Sequence, residues 1–194
     1  MVTRDAASSW PRERWSEHPR YPEQALLLGS HETFRNYMRY IRDGVAQVAR
    51  EGGSTRRRQR LLSRLGEHYA DLTWSMSVHE GYEERKLYPF LEARTGRSLA
   101  WLREEHDELS LLHDLVRDGF AEAARLVSAR DDAALEAARV QLEQALEAAE
   151  TVLAAHLRAE EDAVVPLMLA LEPEEFAQYR DLPQAKGPPR PRAF

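Results

Sequence analysis

Histidine followed four residues later by glutamate occurs at His79–Glu83 and again at His156–Glu160. On a helix that spacing puts both side chains on one face, about one turn apart, where an imidazole nitrogen and a carboxylate oxygen can reach one metal ion or a close pair. The spacing alone is a weak signal: 33 of 194 residues are acidic, so about one of the seven histidines meets such a partner by chance. The surroundings sharpen it. The stretch HEGYEERKLYPFL (79–91) aligns with HLRAEEDAVVPLM (156–168), each with a Glu-Glu pair and a proline, Pro89 or Pro166, six residues after the first glutamate. Two single histidines repeat with them, His31 lying 48 residues before His79 and His106 50 before His156, each followed at once by an acidic residue. The chain therefore reads as two copies of a helical hairpin, each offering one lone histidine and one His-x-x-x-Glu.

Composition narrows the chemistry. With no cysteine, disulfides, thiolate zinc sites, Fe–S clusters and cysteine nucleophiles are excluded, and a metal must be held by histidine and carboxylate. The helical zinc-protease pattern HExxH is absent, because 79–83 reads HExxE. No histidine has an acidic residue three positions before it, so the Glu-x-x-His of ferritin-like di-iron bundles is absent too. A net charge of −6 disfavours nucleic acid as a partner. The longest apolar run, 163–171, is nine residues with Pro166 inside it, too short for a membrane span. The first residues lack the apolar stretch of a signal peptide. The expectation is a soluble cytoplasmic protein without a membrane partner.

The elements that must carry these residues are helical. Leu27, His31, Phe34, Met38, Ile41, Val45 and Val48 follow three-four spacing over 23–50. Leu61, Leu65, Leu72, Met76, His79, Glu83 and Leu87 do so over 55–91, and Leu102, Leu109, Leu112, Val116 and Phe120 after Ser98, a candidate N-cap. An alanine-rich stretch over 131–171 carries Leu135, Leu142, Leu146, Leu153, Ala163 and Leu167. Strand alternation is missing. The expectation is an all-α, up-down-up-down antiparallel four-helix bundle over 23–180, with a short fifth helix near Pro173–Tyr179. Residues 1–22 read as an irregular N-terminal arm, and the Pro/Arg-rich residues 181–194 as a disordered, flexible tail.

Turns near Gly52-Gly53 and Ala129-Arg130 set the levels. In each hairpin the lone histidine and the His-x-x-x-Glu lie within about one helical turn, ~6 Å, of being equidistant from the turn. Four histidines and two glutamates can thus converge in the core. Burying so many ionisable groups without a metal would cost several kcal/mol each, so a dinuclear metal centre is the economical reading.

At these residues the chain resembles the hemerythrin-like (HHE cation-binding) proteins, over roughly 25–170. The resemblance rests on His31, His79-Glu80-x-x-Glu83, His106, and His156-x-x-x-Glu160 with Pro166. It implies a four-helix bundle around two non-haem Fe ions, with Mn or Zn also compatible with such ligands. By the resemblance His31 and His79 bind one iron, His106 and His156 the other, and Glu83 and Glu160 bridge. Oxygen-carrying hemerythrins have a further histidine four residues after the third-helix ligand. Ser110 stands there, which points away from reversible oxygen carriage, and Glu80 or water is the candidate to fill the gap.

Among the remaining histidines, His113 reads as a core or supporting residue near the ligands, His68 as structural and His18 as solvated. Tyr37, Tyr40, Tyr69, Tyr82 and Tyr88 read as packing residues, none assigned to the metal pocket. The basic run 56–60 reads as a solvated helix start. Phe34, Met38, Leu109 and Leu153 are expected to keep the pocket dry. Three functions stay open: a protein that binds or reacts with O2, NO or H2O2; a di-iron oxygenase acting on an organic substrate, with Trp10 and Trp15 of the arm over a cavity; and a helical bundle without metal.

Overall fold

The computed structural model describes residues 10–50 and 55–183, and all of its regular structure is helical. The helices are α1 (Ala25–Arg50), α2 (Thr55–Tyr82), α3 (Tyr88–Thr95), α4 (Ala100–Ala129), α5 (Asp132–Leu169) and α6 (Pro173–Asp181). Their ends follow local chemistry. The Asp131 side chain accepts from the Ala134 N–H to start α5, and Glu172 with Glu175 forms a capping box on α6. Gly96 closes α3 at φ 71, the left-handed region that favours glycine, and Arg130 takes up φ 57 after α4. Ser98 contributes as its type suggests, its hydroxyl accepting from Ala100 N, although Leu99 occupies the cap position itself.

Where one helix is expected over 55–91, the chain makes α2, a π-helical turn over Glu83–Leu87, and α3. Pro89 supplies a physical reason. A proline lacks its N–H and clashes with the carbonyl four residues back, here Arg85, and the widened turn lies where that conflict falls. The π turn bonds the Tyr88 N–H to the Glu83 carbonyl, five residues back. Pro166 is accommodated inside α5.

Helix α1 packs against α2 and α5, and α4 packs against the same two. A Cβ on Gly44 would sit 2.6 Å from a Leu65 methyl, so α1 and α2 approach closely there. The buried stripe of α2 is Leu62, Leu65, Tyr69, Leu72 and Met76, while Leu61 is only half-buried. Two of the three apolar clusters among the described residues lie above and below the level of the candidate ligands. The larger includes Phe34, Met38, Met76, Leu109 and Leu153; the smaller includes Leu87, Tyr88, Leu102, Val164 and Phe176. On α4, Leu102 and Leu109 fall on either side of His106. On α5, Leu153 and Val164 flank His156 and Glu160. The candidate ligands therefore occupy a polar level between two dry ones.

The arm departs from expectation. Residues Arg12–Glu17 and Tyr21–Gln24 form short 3-10 helices, and Trp15 is buried against Val165 and Leu169 of α5 rather than over a cavity. Burial of so large a ring, with its N–H donated to the Trp10 carbonyl, is what orders the segment. His18 packs edge-on against Trp10 and accepts from the Arg20 N–H. Residues 1–9, the Gly52-Gly53 turn and residues 184–194 of the tail lie outside the described residues. Among the described residues no helix is long and apolar enough to cross a membrane.

Candidate metal centre

The π turn and the helix period deliver the acidic residues to one level. His79 and Glu83 share a face of α2 and its π extension, with His79 Nε2 2.6 Å from Glu83 Oε1. His31 of α1 meets them: its Nε2 lies 2.9 Å from His79 Nε2, 3.3 Å from Glu160 Oε2 and 4.0 Å from Glu83 Oε1. Ligand atoms of His31, His79, Glu83 and Glu160 all lie within 4.8 Å of one another. His106 Nε2 stands 3.7 Å from the other Glu83 oxygen, Oε2, and the His156 ring lies 4.7 Å from that of His106. Glu83 thus faces His79 and His31 with one oxygen and His106 with the other. Glu160 is less symmetric, because Tyr88 donates its hydroxyl to Oε1 at 2.9 Å.

Burial makes this arrangement costly as it stands. Glu83, Glu160 and His31 are fully buried. Among the described residues, both Glu83 oxygens, Glu160 Oε2 and His106 Nε2 have no hydrogen-bond partner. A buried carboxylate without a partner costs several kcal/mol, so four such atoms on one level need a common partner. A cation is the partner that nitrogen and oxygen donors of this kind accept. The electrostatics agree. Burial and the facing Glu83 push the Glu160 carboxyl up. Burial pulls the His31 imidazole down, but the surrounding carboxylates of Glu160, Glu161 and Glu83 overcome it and raise it to about 10. The pocket favours positive charge.

Behind the candidate ligands stands a set of carboxylates that hydrogen-bonds the histidine rings. Glu161 accepts from His31 Nδ1 at 3.0 Å, Glu84 from His106 Nδ1 at 2.8 Å and Glu105 from His156 Nδ1 at 2.8 Å. A ring that keeps its proton on Nδ1 for such a carboxylate would offer its Nε2 lone pair inward, the tautomer a metal requires. The second glutamate of each Glu-Glu pair acts across the hairpins, Glu84 on His106 and Glu161 on His31. The doublets are plain in the sequence, but the His-x-x-x-Glu spacing assigns only their first members, Glu83 and Glu160. Residues one apart on a helix point about 100° apart, so Glu84 and Glu161 aim at neighbouring helices.

Glu80 is half-buried on α2, and its burial pushes the carboxyl up to about 7, with His106 drawing it the other way. His113 stands away from the ligand contacts: the Tyr69 hydroxyl donates to its Nδ1 at 2.6 Å, and burial lowers the imidazole to about 4. His68 pairs with Tyr37 at 2.8 Å. Tyr88, expected only to pack, is the tyrosine that touches a candidate ligand. It also stacks on His106, ring centroids 6.1 Å apart.

Comparison with known proteins adds one finding. The hemerythrin HHE cation-binding domain model matches residues 24–168. Neither the curated proteins nor the solved structures yield a match. The match covers most of the chain and every residue that meets at the polar level, so the protein belongs to the hemerythrin HHE cation-binding family.

Proposed function

We propose that the protein is a non-haem di-iron protein that binds or reacts with a small ligand, O2, NO or hydrogen peroxide, in sensing, detoxification or iron handling. The observation that carries this reading is the placement of Glu83, whose two partnerless oxygens face His79 on one side and His106 on the other. His31 and His79 would hold one ion, His106 and His156 the other, with Glu83 and Glu160 between them. The bundle is read as up-down-up-down and antiparallel. The contacts of α1 and α4 with both α2 and α5, and the two-residue connection from α4 to α5, support that order. Iron bound here would supply a redox-active Lewis acid for a diatomic or peroxide ligand.

The chain's own groups set the conditions. Glu161, Glu84 and Glu105 orient the imidazoles and raise their donor strength. Met76, Leu109 and Leu153 on one side and Leu102 and Val164 on the other exclude water from the level between them. Tyr88 holds one oxygen of Glu160 and keeps its proton, since burial and the nearby carboxylates push the phenol far up. The arm gives the oxygenase reading no support, because Trp15 is spent on α5.

Metal analysis of the purified chain, followed by anaerobic Fe(II) loading and exposure to O2, NO or peroxide with near-ultraviolet and visible spectra, tests the proposal. Two irons per chain and new absorption on exposure are expected. A chain that takes up no iron, or holds iron but stays spectrally unchanged with all three ligands, would refute it.

A further inference from the structure

The family match begins at residue 24, yet the most heavily tethered carboxylate behind the ligands is reached from residue 12. Glu161 lies on α5 beside Glu160, with its side chain only 3% exposed. Its Oε1 accepts from His31 Nδ1 at 3.0 Å and from Arg35 at 2.7 Å, and its Oε2 accepts from Arg12 at 2.7 Å. Arg12 is held in turn. It donates to Asp162 at 2.9 Å, reaches the Arg158 carbonyl at 3.4 Å, and lays its guanidinium over the Trp15 ring, 4.7 Å from the centroid. Trp15 is buried against Val165 and Leu169. An unbroken line of contacts thus runs from the arm, through Arg12 and Glu161, to His31 and the polar level.

We propose that Arg12, with Arg35, is a positioning residue of the metal centre, and that the arm belongs to that centre through it. The inference rests on the metal reading above. Two consequences follow from the geometry. With both oxygens of Glu161 tied, the carboxylate cannot rotate, so the His31 Nδ1–H direction is fixed and Nε2 stays aimed at Glu160 and His79. Two guanidinium groups also draw charge from Glu161. His31 is therefore the weaker donor compared with His106 or His156, whose partners Glu84 and Glu105 are 37% and 35% exposed. A weaker nitrogen donor favours the reduced metal.

The test uses the full-length chain and two probes. Co(II) alone, titrated by its visible absorption, reads affinity and ligand geometry, and the midpoint potential of the iron-loaded chain reads donor strength. Arg12→Met keeps a side chain over Trp15 but removes the charge and the bonds. It is expected to lower Co(II) affinity about tenfold, the low end for residues that support a metal ligand, and to lower the potential. Arg12→Lys is expected to recover most of both. Arg14→Met is the control, because Arg14 bonds Glu17 within the arm, and it is expected to match the wild type. Wild-type affinity and potential in Arg12→Met would overturn the inference and reduce the arm to packing. Should that variant fail to fold by helical circular dichroism, Arg12→Gln, which keeps a donor without the charge, decides in the same way. A wild-type chain that binds no Co(II) and no iron would overturn the metal reading and this inference together, an outcome distinct from variants that behave like a wild type that does bind.

Discussion

Replacing Tyr88 by Phe isolates one hydrogen bond in a place where little else changes. The ring is fully buried, so Phe fills the same space and leaves no cavity. What disappears is the hydroxyl donated to Glu160 Oε1 at 2.9 Å. A hydrogen bond to a charged group contributes about 1.5–3 kcal/mol, and its loss leaves an oxygen of the fully buried Glu160 without its donor. Taking about 2 kcal/mol, and a shift of roughly 2–4 °C per kcal/mol for a chain of this size, the metal-free protein should melt about 4–8 °C lower. Glu160 also becomes free to turn away from the level of His31, so Co(II) affinity should fall. Urea unfolding of the metal-free variant at pH 8, together with a Co(II) titration, measures both. A double-mutant cycle with Glu160→Ala separates the bond from the ring: Tyr88→Phe should cost about 2 kcal/mol in the wild type and almost nothing once Glu160 is gone. Equal costs in both backgrounds, or a stability change under about 0.5 kcal/mol, would mean that the Tyr88–Glu160 bond contributes nothing and that the π turn does not serve the site.

Three further outcomes are open to measurement. Saturating Co(II) at 100 times its dissociation constant should add about 2.7 kcal/mol of stability; a melting temperature that rises as much in His79→Ala as in the wild type would place the metal elsewhere. His113 is held neutral, its imidazole lowered from the usual 6.5 to about 4, so the unfolded chain binds its proton first as pH falls. Stability should therefore drop between pH 6.5 and 4, by about 3 kcal/mol at 1.36 kcal/mol per unit. His113→Gln, which still accepts from Tyr69, should flatten that slope in denaturant titrations at pH 7 and 4.5, and an unchanged slope would assign the acid loss to other groups. Leu142 is fully buried on α5, about 21 Å along the helix from His156 at 1.5 Å per residue. Leu142→Ala should cost about 2–5 kcal/mol yet leave metal stoichiometry intact, and a loss of metal at full folding would show that the two clusters are not separable.

The parts of the site that could be read from sequence are those written on a single helix face. His31 and His106 interrupt apolar stripes at core positions, and the 77-residue repeat brings His79, Glu83, His156 and Glu160 to equivalent places. Helical periodicity alone fixes which side of each helix they occupy. Glu84, Glu105 and Glu161 were hidden for a different reason: each acts on a histidine of another helix, and which helix lies beside it is a matter of packing that no local pattern carries. Tyr88 was hidden by the π turn. At ideal α-helical spacing, Tyr88 sits five residues, or about 500°, past Glu83 and points well away from it. The wider turn brings it back onto that face. Leu62, by contrast, fits the three-four run through Leu65, Tyr69, Leu72 and Met76, and it rather than Leu61 is buried. Arg12 carries no periodic signal, since its role comes from the docking of Trp15.

The repeat also shows where its two halves stopped being equivalent. Shifting the second hairpin back by its own offsets pairs Glu105 with Ser30, Ser110 with Arg35, and Val165 with Tyr88. Each mismatch has a structural consequence. Ser30 spends its hydroxyl on the Leu26 carbonyl, so His79 has no counterpart to the Glu105 that holds His156. Arg35 bonds Glu161 from the place that Ser110 takes on α4, and Val165 lies under Trp15 where Tyr88 reaches into the site. A perfectly kept repeat would put two sets of candidate ligands in identical surroundings. The substitutions instead place two guanidinium groups behind His31, leave His79 without a counterpart to Glu105, and keep a carboxylate on Nδ1 of both His106 and His156. The side chain of His79 is 14% exposed against 4% for His106 and His156. The His31–His79 side is thus poorer in negative charge, and its two histidines differ, His79 reaching solvent while His31 is fully buried, so the difference between the two halves is set by residues that surround the candidate ligands, while the candidate ligands themselves repeat almost unchanged.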